Sequence, residues 1–346
     1  MKAVVQDGPN TELILSRDVE MPVPGSREVR IRIIHTAVNR MDLVQAKGLY
    51  VVPLGASPIL GVEVSGIIDS VGPNCELGFE VGDPVMALLE GGGYAEYATC
   101  DERTVMSVLP GIDMVASSAI PEAFMTAYQL LFLVAKMEPG ESVLIHAAAS
   151  SVGQAAIQMA VNKGITVLAT SRSAYKIETC LSLGANFGYV TSPGSNISDF
   201  VLRSTDGKGV DVILDPVGSA YLRDNLDSIS HDGRWVLYGL LSGGVINEEM
   251  NNNSPAGFMR KLLFKRVSLL STTLRARSYD YKASLIKRLI EDSEAGFGAV
   301  VANKIKVHVD RVYDLEEVHE AHQLMAANQN VGKIVMSIGT QGGDEL

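Results

Sequence analysis

A turn of very small residues, 147–153, is the part of this sequence whose residue types best suit ligand binding. It follows an apolar, β-branched run at 142–146 that predicts a buried strand. It precedes apolar positions at i, i+3 and i+4 that predict a helix. A strand, a small-residue turn and a helix open a dinucleotide-binding unit, in which helix N-terminal amides receive a pyrophosphate. The G-x-G-x-x-G pattern would place glycines at 148, 150 and 153, but the chain has Ala148, Ser150 and Gly153. The turn therefore predicts a dinucleotide site, with an ordinary strand-to-helix corner as the alternative.

The residues after the second predicted strand, 166–170, indicate which dinucleotide would bind. An NAD site usually has an acidic residue here, which bonds the ribose hydroxyls. This chain has Ser171, Arg172 and Ser173, followed by Lys176. Hydroxyls and cations suit a 2′-phosphate, which a carboxylate would repel, so the sequence predicts NADPH. The alternative is that Arg172 and Lys176 are solvated charges at a helix start.

The histidines and cysteines predict no metal centre. The three cysteines lie far apart and no C-x-x-C occurs, whereas structural zinc needs clustered cysteines. His319 and His322 fall at i, i+3 on a predicted helix, and without a third ligand we expect both to face solvent. His146, at the end of the first strand, is predicted to be packed and hydrogen-bonded.

Two kinds of structure must position these residues. The first 120 residues read as short strands separated by turns, which predicts a compact β-barrel-like domain. From residue 122 strands alternate with helices, which predicts a parallel, doubly wound sheet. The pattern also predicts a helix over 122–135, a mobile loop over 239–257, an apolar strand over 267–274 and a frayed tail over 341–346. Because the strand over 267–274 would be an exposed edge, we expect self-pairing into a homodimer, with a tetramer as the other possibility.

Composition and charge argue against several classes of protein. A chain of 346 residues is long enough for two domains with separate cores. A net charge of −11 argues against nucleic acid or an anionic membrane as the main partner. There is no run of 18 apolar residues and no signal-peptide-like start, so we expect neither a membrane span nor export. The scattered cysteines fit a reducing, cytoplasmic setting.

With these residues in view, the chain resembles the zinc-free medium-chain dehydrogenases/reductases of the quinone oxidoreductase (zeta-crystallin-like) family. The matching segments run from end to end of the chain. They are residues 39–42 with Gly48 and Tyr50, then 60–66, 82–85, 91–97, 119–123, 147–153, 232–239 and 330–335. Residues 262–266 and 274–278 look closest to the tumour-suppressor-inducible quinone oxidoreductase branch.

The resemblance implies an α/β fold in which a Rossmann doubly wound parallel sheet is inserted in a GroES-like, β-barrel-type domain. The GroES-like domain would cover residues 1–121 and be completed by 302–346. The Rossmann domain would cover 122–301, and the active site would lie in the cleft between the domains. Zinc-dependent relatives keep Cys and His where this chain has Asn39 and Val62, so the resemblance also implies that the catalytic metal is absent.

The resemblance and the motifs together predict a set of NADPH-binding residues, most of them at turns and strand ends. The set is Thr126, Ala149, Ser150, Ser151, Val152, Gly153, Ser171, Arg172, Ser173, Lys176, Thr191, Pro216, Val217, Gly239, Leu240, Leu241, Thr272, Thr273, Leu274, Asn330 and Lys333. Thr126 would hold the carboxamide, and Thr191 stands where the family often has Tyr or His. The Cβ atoms of Ser150 and Ser151, where the family usually has at least one glycine, would push the pyrophosphate outward, or their hydroxyls would bond it.

The implied reaction is hydride transfer from NADPH to a small quinone or enone, an electron-poor conjugated carbonyl compound. Tyr50 is expected to be a donor or wall residue of the cleft, and Asn39 to polarise or position the carbonyl. Asp42 would orient the loop of Asn39, or would simply cap a helix.

Two alternatives remain open on the sequence. Related branches reduce enoyl thioesters, and Arg260, Lys261, Lys265 and Arg266 could bind the phosphates of CoA. The other alternative is a non-catalytic binding or structural role of the same fold.

Overall fold

The computed structural model describes residues 1–244 and 255–339, and the chain divides into two compact units. Unit 1 comprises Met1–Met125, Leu274–Glu291 and Lys306–Leu346, and unit 2 comprises Thr126–Thr273 and Asp292–Ile305. The predicted boundaries after residues 121 and 301 fall near two of these breaks. The prediction placed residues 274–291 in the Rossmann domain, whereas the structure groups them with unit 1.

Unit 1 begins with a region of short strands. Its elements are β1 (Ala3–Gln6), β2 (Leu13–Ser16), β3 (Glu28–Val38), α1 (Arg40–Ala46), β4 (Glu63–Val71), β5 (Pro84–Leu88), β6 (Tyr97–Asp101), β7 (Val105–Ser107) and α2 (Met114–Ser117). The helix predicted over 122–135 is α3 (Pro121–Tyr128), followed by a π-helical stretch over Gln129–Val134.

Strands and helices alternate through unit 2. The elements are β8 (Ser142–Ile145), α4 (Ser151–Asn162), β9 (Thr166–Ser171), α5 (Ala174–Ser182), β10 (Phe187–Val190), α6 (Ile197–Ser204), β11 (Val210–Asp215), α7 (Leu222–Ser228), β12 (Ile229–Leu237), α8 (Pro255–Lys265) and β13 (Ser268–Ser271). Much of the loop predicted over 239–257 and the tail predicted over 341–346 lie outside the described residues. The last elements are α9 (Tyr279–Glu291), α10 (Phe297–Val301), β14 (Val309–Asp314), α11 (Val318–Ala326) and β15 (Lys333–Ser337).

The main sheet of unit 1 has seven strands, in the order β14-β15-β3-β4-β5-β7, with β6 also paired to β3. β3 is its longest strand, and its first residues alternate between buried and half-buried, as the alternating sequence predicts. Val29, Ile31 and Ile33 point from it into the core, together with Val64 and Ile68 of β4. β15 pairs antiparallel with β3, so the last described strand joins the sheet that β3 begins, whereas β1 and β2 form a separate two-stranded sheet.

The sheet of unit 2 has six strands in the order β10-β9-β8-β11-β12-β13, and every neighbouring pair is parallel. The central strands β8 and β11 are apolar and buried because helices cover both faces of a doubly wound sheet. The order reverses between β8 and β11, where the chain turns from one side of β8 to the other. Ligands of such sheets bind outside the carboxyl ends of the strands at this reversal. The predicted α/β fold class is confirmed.

Two ion pairs join residues 274–291 to the rest of unit 1. The ammonium of Lys282, on α9, is buried and lies 3.0 Å from the Glu90 carboxylate. Arg103 lies 2.6 Å from Asp280 at the start of the same helix. The alternation of strands and helices along the sequence carries no information about these pairings, which join residues far apart in the chain.

Among the described residues, no helix is both long and apolar enough to cross a membrane.

We predict that Gly153→Ala destabilises unit 2 by about 2 kcal/mol or more. Alanine in a helix is normally favoured over glycine by about 1 kcal/mol. Here an added Cβ would lie 2.5 Å from the carbonyl oxygen of Ala148, so backbone overlap outweighs the helix preference. Urea unfolding followed by the fluorescence of Trp235, the single tryptophan, buried in β12, measures the change.

Gly164→Ala is the matched control. Gly164 has φ +71 and nothing lies within 4 Å of an added Cβ, so this variant loses only about 1 kcal/mol to backbone strain. Equal losses in the two variants would contradict the steric argument.

Candidate functional site

The small-residue turn between β8 and α4 needs its glycine only at position 153. Ser150 is the N-cap of α4, and its Oγ accepts a hydrogen bond from the amide of Gly153 at 3.1 Å. Gly153 packs so closely on Ala148 that no side chain fits there. Ala147 adopts φ +49, which a glycine would adopt without strain. The turn is thus built around a serine cap and one close backbone contact.

The parallel sheet brings most of the predicted cofactor residues to one edge. Each neighbouring pair is parallel, so the carboxyl ends of all six strands meet there. The predicted residues that follow these strand ends are Ala149, Ser150, Ser151, Val152 and Gly153 after β8, Ser171, Arg172 and Ser173 at and after β9, Thr191 after β10, Pro216 and Val217 after β11, Gly239, Leu240 and Leu241 after β12, and Thr272 and Thr273 after β13. Lys176 lies in the first turns of α5, directly after the β9 group.

The end of β9 presents hydroxyls and a cation. Arg172 is exposed, whereas Ser171 is buried. The Thr191 amide donates to the Ser171 carbonyl at 2.7 Å, and the hydroxyl of Tyr221 donates to Thr191 Oγ1 at 3.2 Å. These bonds hold the ends of β9 and β10 together, with Arg172 on the outside.

Asp215, at the end of β11, is a structural anchor of this edge that the sequence reasoning missed. Its carboxylate is fully buried and accepts from the amides of Val217 and Gly218 at 2.7 and 3.0 Å. Its other oxygen accepts from Asn225 at 2.9 Å and from the indole of Trp235 at 3.1 Å. A strand-end aspartate followed by Pro-Val-Gly was the available signal, because such a carboxylate commonly accepts from the amides of the next turn.

The turns after β11 and β12 are paired beyond the sheet. The amide of Leu241 donates to the Pro216 carbonyl at 3.0 Å. A Cβ at Gly239 would lie 2.9 Å from that carbonyl oxygen, so glycine permits the close approach. Leu240 and Leu241 are about half exposed and line the outer side of the paired turns.

Buried polar side chains also lie at the ends of β13 and β8. Gln129, a residue that sequence reasoning missed, donates to Thr272 Oγ1 at 2.7 Å. His146 is fully buried, with ring nitrogens 2.8 Å from Thr170 Oγ1 and 2.7 Å from Asn225 Oδ1. Burial lowers the pKa of His146, which suits a neutral ring in this position. The prediction that His146 is packed and hydrogen-bonded is confirmed.

In unit 1 Asn39, Glu63 and Lys333 form a buried polar triangle. Lys333 Nζ donates to Asn39 Oδ1 at 2.9 Å and to Glu63 Oε1 at 2.7 Å. The Asn39 amide group donates to the same Glu63 oxygen at 2.8 Å. The second oxygen of Glu63 accepts from the amide of Glu122 at 2.9 Å, in the first turn of α3. A buried ion pair of this kind needs such additional hydrogen bonds to offset its desolvation.

This triangle engages two predicted site residues. Lys333 is only 1% exposed and its ammonium bonds Asn39 and Glu63, so its predicted cofactor contact stays a prediction. Both Asn39 Oδ1 and Nδ2 have protein partners, with a further contact from Nδ2 to Ala37 O at 3.4 Å. These bonds hold Asn39 in its loop, and its predicted role towards a substrate carbonyl stays a prediction.

Asp42 connects the Asn39 loop to Tyr94 and His322. Its buried carboxylate accepts from the amides of Asn39 and Gly61 at 2.7 and 3.2 Å and from the Tyr94 hydroxyl at 3.2 Å. The Tyr94 hydroxyl oxygen also lies 3.1 Å from His322 Nε2. Asp42 is the N3 residue of a capping box at the start of α1, so the capping alternative is confirmed, and its other oxygen also fixes the amide of Gly61.

The prediction that His319 and His322 both face solvent is wrong for His322. Its ring packs edge-on against Tyr94, with ring centroids 5.8 Å apart. Burial lowers the pKa of His322 to about 4. His319 is partly exposed and contacts the Leu13 carbonyl at 2.9 Å. The i, i+3 spacing correctly indicated one helix, but one face of that helix is buried within unit 1.

The other predicted residues have different environments. Tyr50 is half-buried, and the Arg275 guanidinium lies 5.2 Å from its ring centroid. Leu274 and Asn330 belong to unit 1, and the Asn330 amide donates to the Gly332 carbonyl at 2.9 Å. Thr126 is buried at the first position of unit 2.

The described residues contain no cluster of three or more His, Cys, Asp and Glu side chains that could hold a metal ion. Asn39 is engaged by Glu63 and Lys333, and Val62 is apolar and buried. The absence of zinc stays a prediction.

We predict that Asp42 and His322 contribute to stability with opposite dependence on pH. Burial raises the pKa of Asp42 to about 6, so the folded chain retains a proton that the unfolded chain releases, and stability falls as pH rises from about 4 to 6. Because the pKa of His322 is lowered to about 4, the unfolded chain binds the extra proton, and stability rises over about the same range. A shift of about two pKa units corresponds to about 3 kcal/mol, so the two effects largely cancel.

Removing one of these two titrating groups should reveal the pH dependence that the other gives to stability. Relative to the parent chain, the free energy of unfolding of Asp42→Asn should rise between pH 4 and 6, whereas that of His322→Gln should fall. Urea unfolding followed by circular dichroism at half-unit pH steps measures both differences. Parallel pH profiles for all three proteins would contradict the prediction.

Comparisons with known proteins agree with this architecture. Residues 25–110 match the alcohol dehydrogenase GroES-like domain model, and residues 151–291 match the model described as zinc-binding dehydrogenase. A quinone oxidoreductase of Pseudomonas aeruginosa is 30% identical, over 94% of this chain and 95% of its own length.

Two solved structures share the fold over nearly the whole chain. A mycobacterial protein solved in complex with NADPH is 26% identical with a TM-score of 0.84, and covers 97% of this chain and 100% of its own. The CurK enoyl reductase is 25% identical with a TM-score of 0.81, over 97% and 98% of the two chains. The assignment to the tumour-suppressor-inducible branch stays a prediction. With both domain models matched in order and a quinone oxidoreductase matched at 30% identity over nearly its full length, the chain belongs to the medium-chain dehydrogenase/reductase family that includes the quinone oxidoreductases.

Proposed function

We propose that this protein is an NADPH-dependent oxidoreductase that reduces quinones or related conjugated carbonyl compounds without zinc. The observation that carries the proposal is the edge of the unit 2 sheet, where six parallel strand ends, the capped N-terminus of α4 and the Ser171–Arg172 pair meet. The relatives named quinone oxidoreductase and the neighbour solved with NADPH support it.

The residues of unit 2 suit a phosphorylated dinucleotide. The amides at the N-terminus of α4 can receive a pyrophosphate, although the Ser150 amide donates to the Ala147 carbonyl at 2.9 Å and the Gly153 amide to the Ser150 hydroxyl at 3.1 Å. The end of β9 carries Ser171, Arg172 and Ser173 instead of a carboxylate, which suits a 2′-phosphate. NADPH bound there supplies a hydride, and the chain supplies orientation and electrostatics.

The side chains of unit 1 supply the proton-donating part of the proposal. Tyr50 is half-buried, and burial raises the pKa of its phenol, which therefore keeps its proton at neutral pH. Asn39, held by Asp42, Glu63 and Lys333, maintains the loop before α1. Since quinones accept hydride readily, one weak proton donor is sufficient chemistry for such an acceptor.

Reduction of enoyl thioesters is the second candidate, supported by the enoyl reductase among the structural neighbours. The four cations proposed for CoA phosphates argue against it, because three have partners within unit 2. Lys261 pairs with Asp227, and Arg266 makes two bonds of 2.6 Å to Asp232. Lys265 donates to the carbonyls of Leu226 and Ile229 at 2.7 and 2.6 Å. We therefore place quinones and enones ahead of enoyl-CoA compounds.

The proposal predicts faster oxidation of NADPH than of NADH, and faster turnover with a simple quinone or enone than with crotonyl-CoA. Arg172→Ala should raise the KM for NADPH tenfold to about a hundredfold, because one charge-assisted bond to the 2′-phosphate contributes about 1.5–3 kcal/mol. The KM for NADH should stay the same. Initial rates followed by nicotinamide absorbance measure all of these.

Arg203→Ala is the matched control, because Arg203 is also an exposed arginine of unit 2, in the last turn of α6. It should leave both KM values unchanged. Preferential turnover of crotonyl-CoA would favour the second candidate. A folded protein that does not bind NADPH would favour a non-catalytic role.

The homodimer proposed from the sequence is supported by the exposed edge of unit 2. β13 is the last strand of its sheet, and its Leu269 is 50% exposed. Met259, Leu263 and Phe264 on the neighbouring helix α8 are exposed as well. An open apolar edge of this kind is suited to pairing with a second copy.

Leu269→Lys should convert the dimer into a monomer, since a charged side chain on an edge strand opposes strand pairing. Sedimentation velocity measures the change of mass. The matched control is Phe187→Lys on β10, the opposite edge of the same sheet, where Phe187 is 39% exposed. A monomeric parent chain, or an unchanged mass for Leu269→Lys, would refute pairing through β13.

A further inference from the structure

Arg275 is a buried cation whose hydrogen-bond acceptors are neutral. It is only 3% exposed, although arginine is almost never fully buried unless paired. Its Nε and Nη2 donate to the carbonyl oxygen of Glu90 at 2.9 and 2.5 Å, and its Nη1 donates to Gln45 Oε1 at 2.7 Å. These contacts fix the plane of the guanidinium without neutralising its charge.

The guanidinium carbon of Arg275 lies over the ring of Tyr50. The distance from the guanidinium carbon to the ring centroid is 5.2 Å, within the range of a cation–π contact. The residues next to Tyr50 do little to hold it, because Leu49 is 76% exposed and Val51 is 92% exposed. Arg275 bonds Gln45 at the end of α1 and Glu90 after β5, and it thereby joins Tyr50 to two ordered elements.

We infer that Arg275 is the positioning residue for Tyr50: its guanidinium holds the ring in place and supplies the positive charge that favours proton donation by the phenol. The inference rests on the proposed function, in which Tyr50 gives a proton to the reduced acceptor.

The charges around Tyr50 support this role. Burial raises its pKa, and the carboxylates of Glu122 and Asp42 raise it further. Arg275 lowers the pKa of the same phenol by charge and by hydrogen bonding. Arg275 therefore opposes the effects of burial and of two acids, and a phenol with a lower pKa is a better donor to a developing oxyanion.

The proton transfer balances with the proposed reaction. Hydride addition places two electrons and one proton on the acceptor and leaves a negative charge on the former carbonyl oxygen. The O–H bond of Tyr50 breaks and a new O–H bond forms on that oxygen. The Tyr50 phenolate, stabilised by the unchanged Arg275 cation, then takes a proton from water.

The first test needs no turnover. A fluorinated tyrosine, which ionises at lower pH than tyrosine, is incorporated at position 50 and titrated by 19F NMR in the full-length chain. Arg275→Gln, which can still donate to the Glu90 carbonyl, should raise the titration midpoint by about one pH unit or more, because the removed charge is buried. Arg275→Lys keeps the charge and should titrate within a few tenths of the parent.

The matched control is Arg277→Gln. Arg277 lies two residues further along and stacks on the Tyr281 ring at 4.7 Å, so the substitution removes a similar cation–ring contact from the same segment. Its titration should equal that of the parent. Equal midpoints for Arg275→Gln and Arg277→Gln would overturn the inference. If Arg275→Gln does not fold, the lysine variant decides the inference, because a raised midpoint with the charge retained contradicts it.

The second test is kinetic and uses Tyr50→Phe. Arg275→Gln should lower kcat at least tenfold while the KM for NADPH changes less than twofold, and it should cause no further loss in the Tyr50→Phe background. Equal losses with and without the Tyr50 hydroxyl would overturn the inference. Absence of any turnover in the parent chain would refute the proposed function, whereas the titration would still decide the link between Arg275 and Tyr50.

Discussion

Parallel pairing of six strands is the constraint on which the candidate cofactor site depends. Parallel strands point the same way, so each loop that follows a strand begins at the same edge of the sheet. Residues as distant in sequence as Ser150, Thr191 and Thr272 therefore belong to one edge. Asp215 stabilises that edge because its buried carboxylate accepts from the amides of the turn after β11. The same carboxylate is held by Asn225 and Trp235. Loss of such a buried carboxylate would leave several donors unsatisfied.

Unit 1 depends on buried polar groups in a comparable way. The Asn39–Glu63–Lys333 triangle links β15 to the end of β3. Lys333 is the first residue of β15, and Asn39 directly follows β3. Asp42, Tyr94 and His322 add a second set, in which burial shifts the pKa values of the acid and the histidine towards their neutral forms. Between about pH 4 and 6 both groups are neutral in the folded chain, which avoids the cost of two buried charges. The two sets meet at Asn39, whose backbone amide donates to Asp42 and whose side chain donates to Glu63.

Relations within a short window could be predicted from the sequence. The strand, turn and helix around 147–153, the alternation in β3 and the parallel α/β pattern all follow from side-chain periodicity and local capping. The close contact between Gly153 and Ala148 lies within the same window. The one retained glycine therefore correctly indicated a tight turn before the helix. The Asn39 and Asp42 loop was also visible as a helix start, because an acidic residue three positions after a cap is a local signal.

The sequence was uninformative where a side chain's partner lies far away in the chain. Lys333 pairs with Asn39 and Glu63, 294 and 270 residues away, and the sequence did not indicate either partner. His322 was predicted to face solvent, but it meets Tyr94, 228 residues away. Arg275 was visible only as part of a family-like segment, and its contact with Tyr50 exists because residues 274–291 pack with unit 1. The sequence by itself therefore determined the fold class, the small-residue turn before α4 and the residues at the strand ends, because these depend on local backbone preferences. Only the tertiary structure decided which charged and polar groups are buried together, because burial and charge pairing depend on distances between segments that no spacing along the chain reveals.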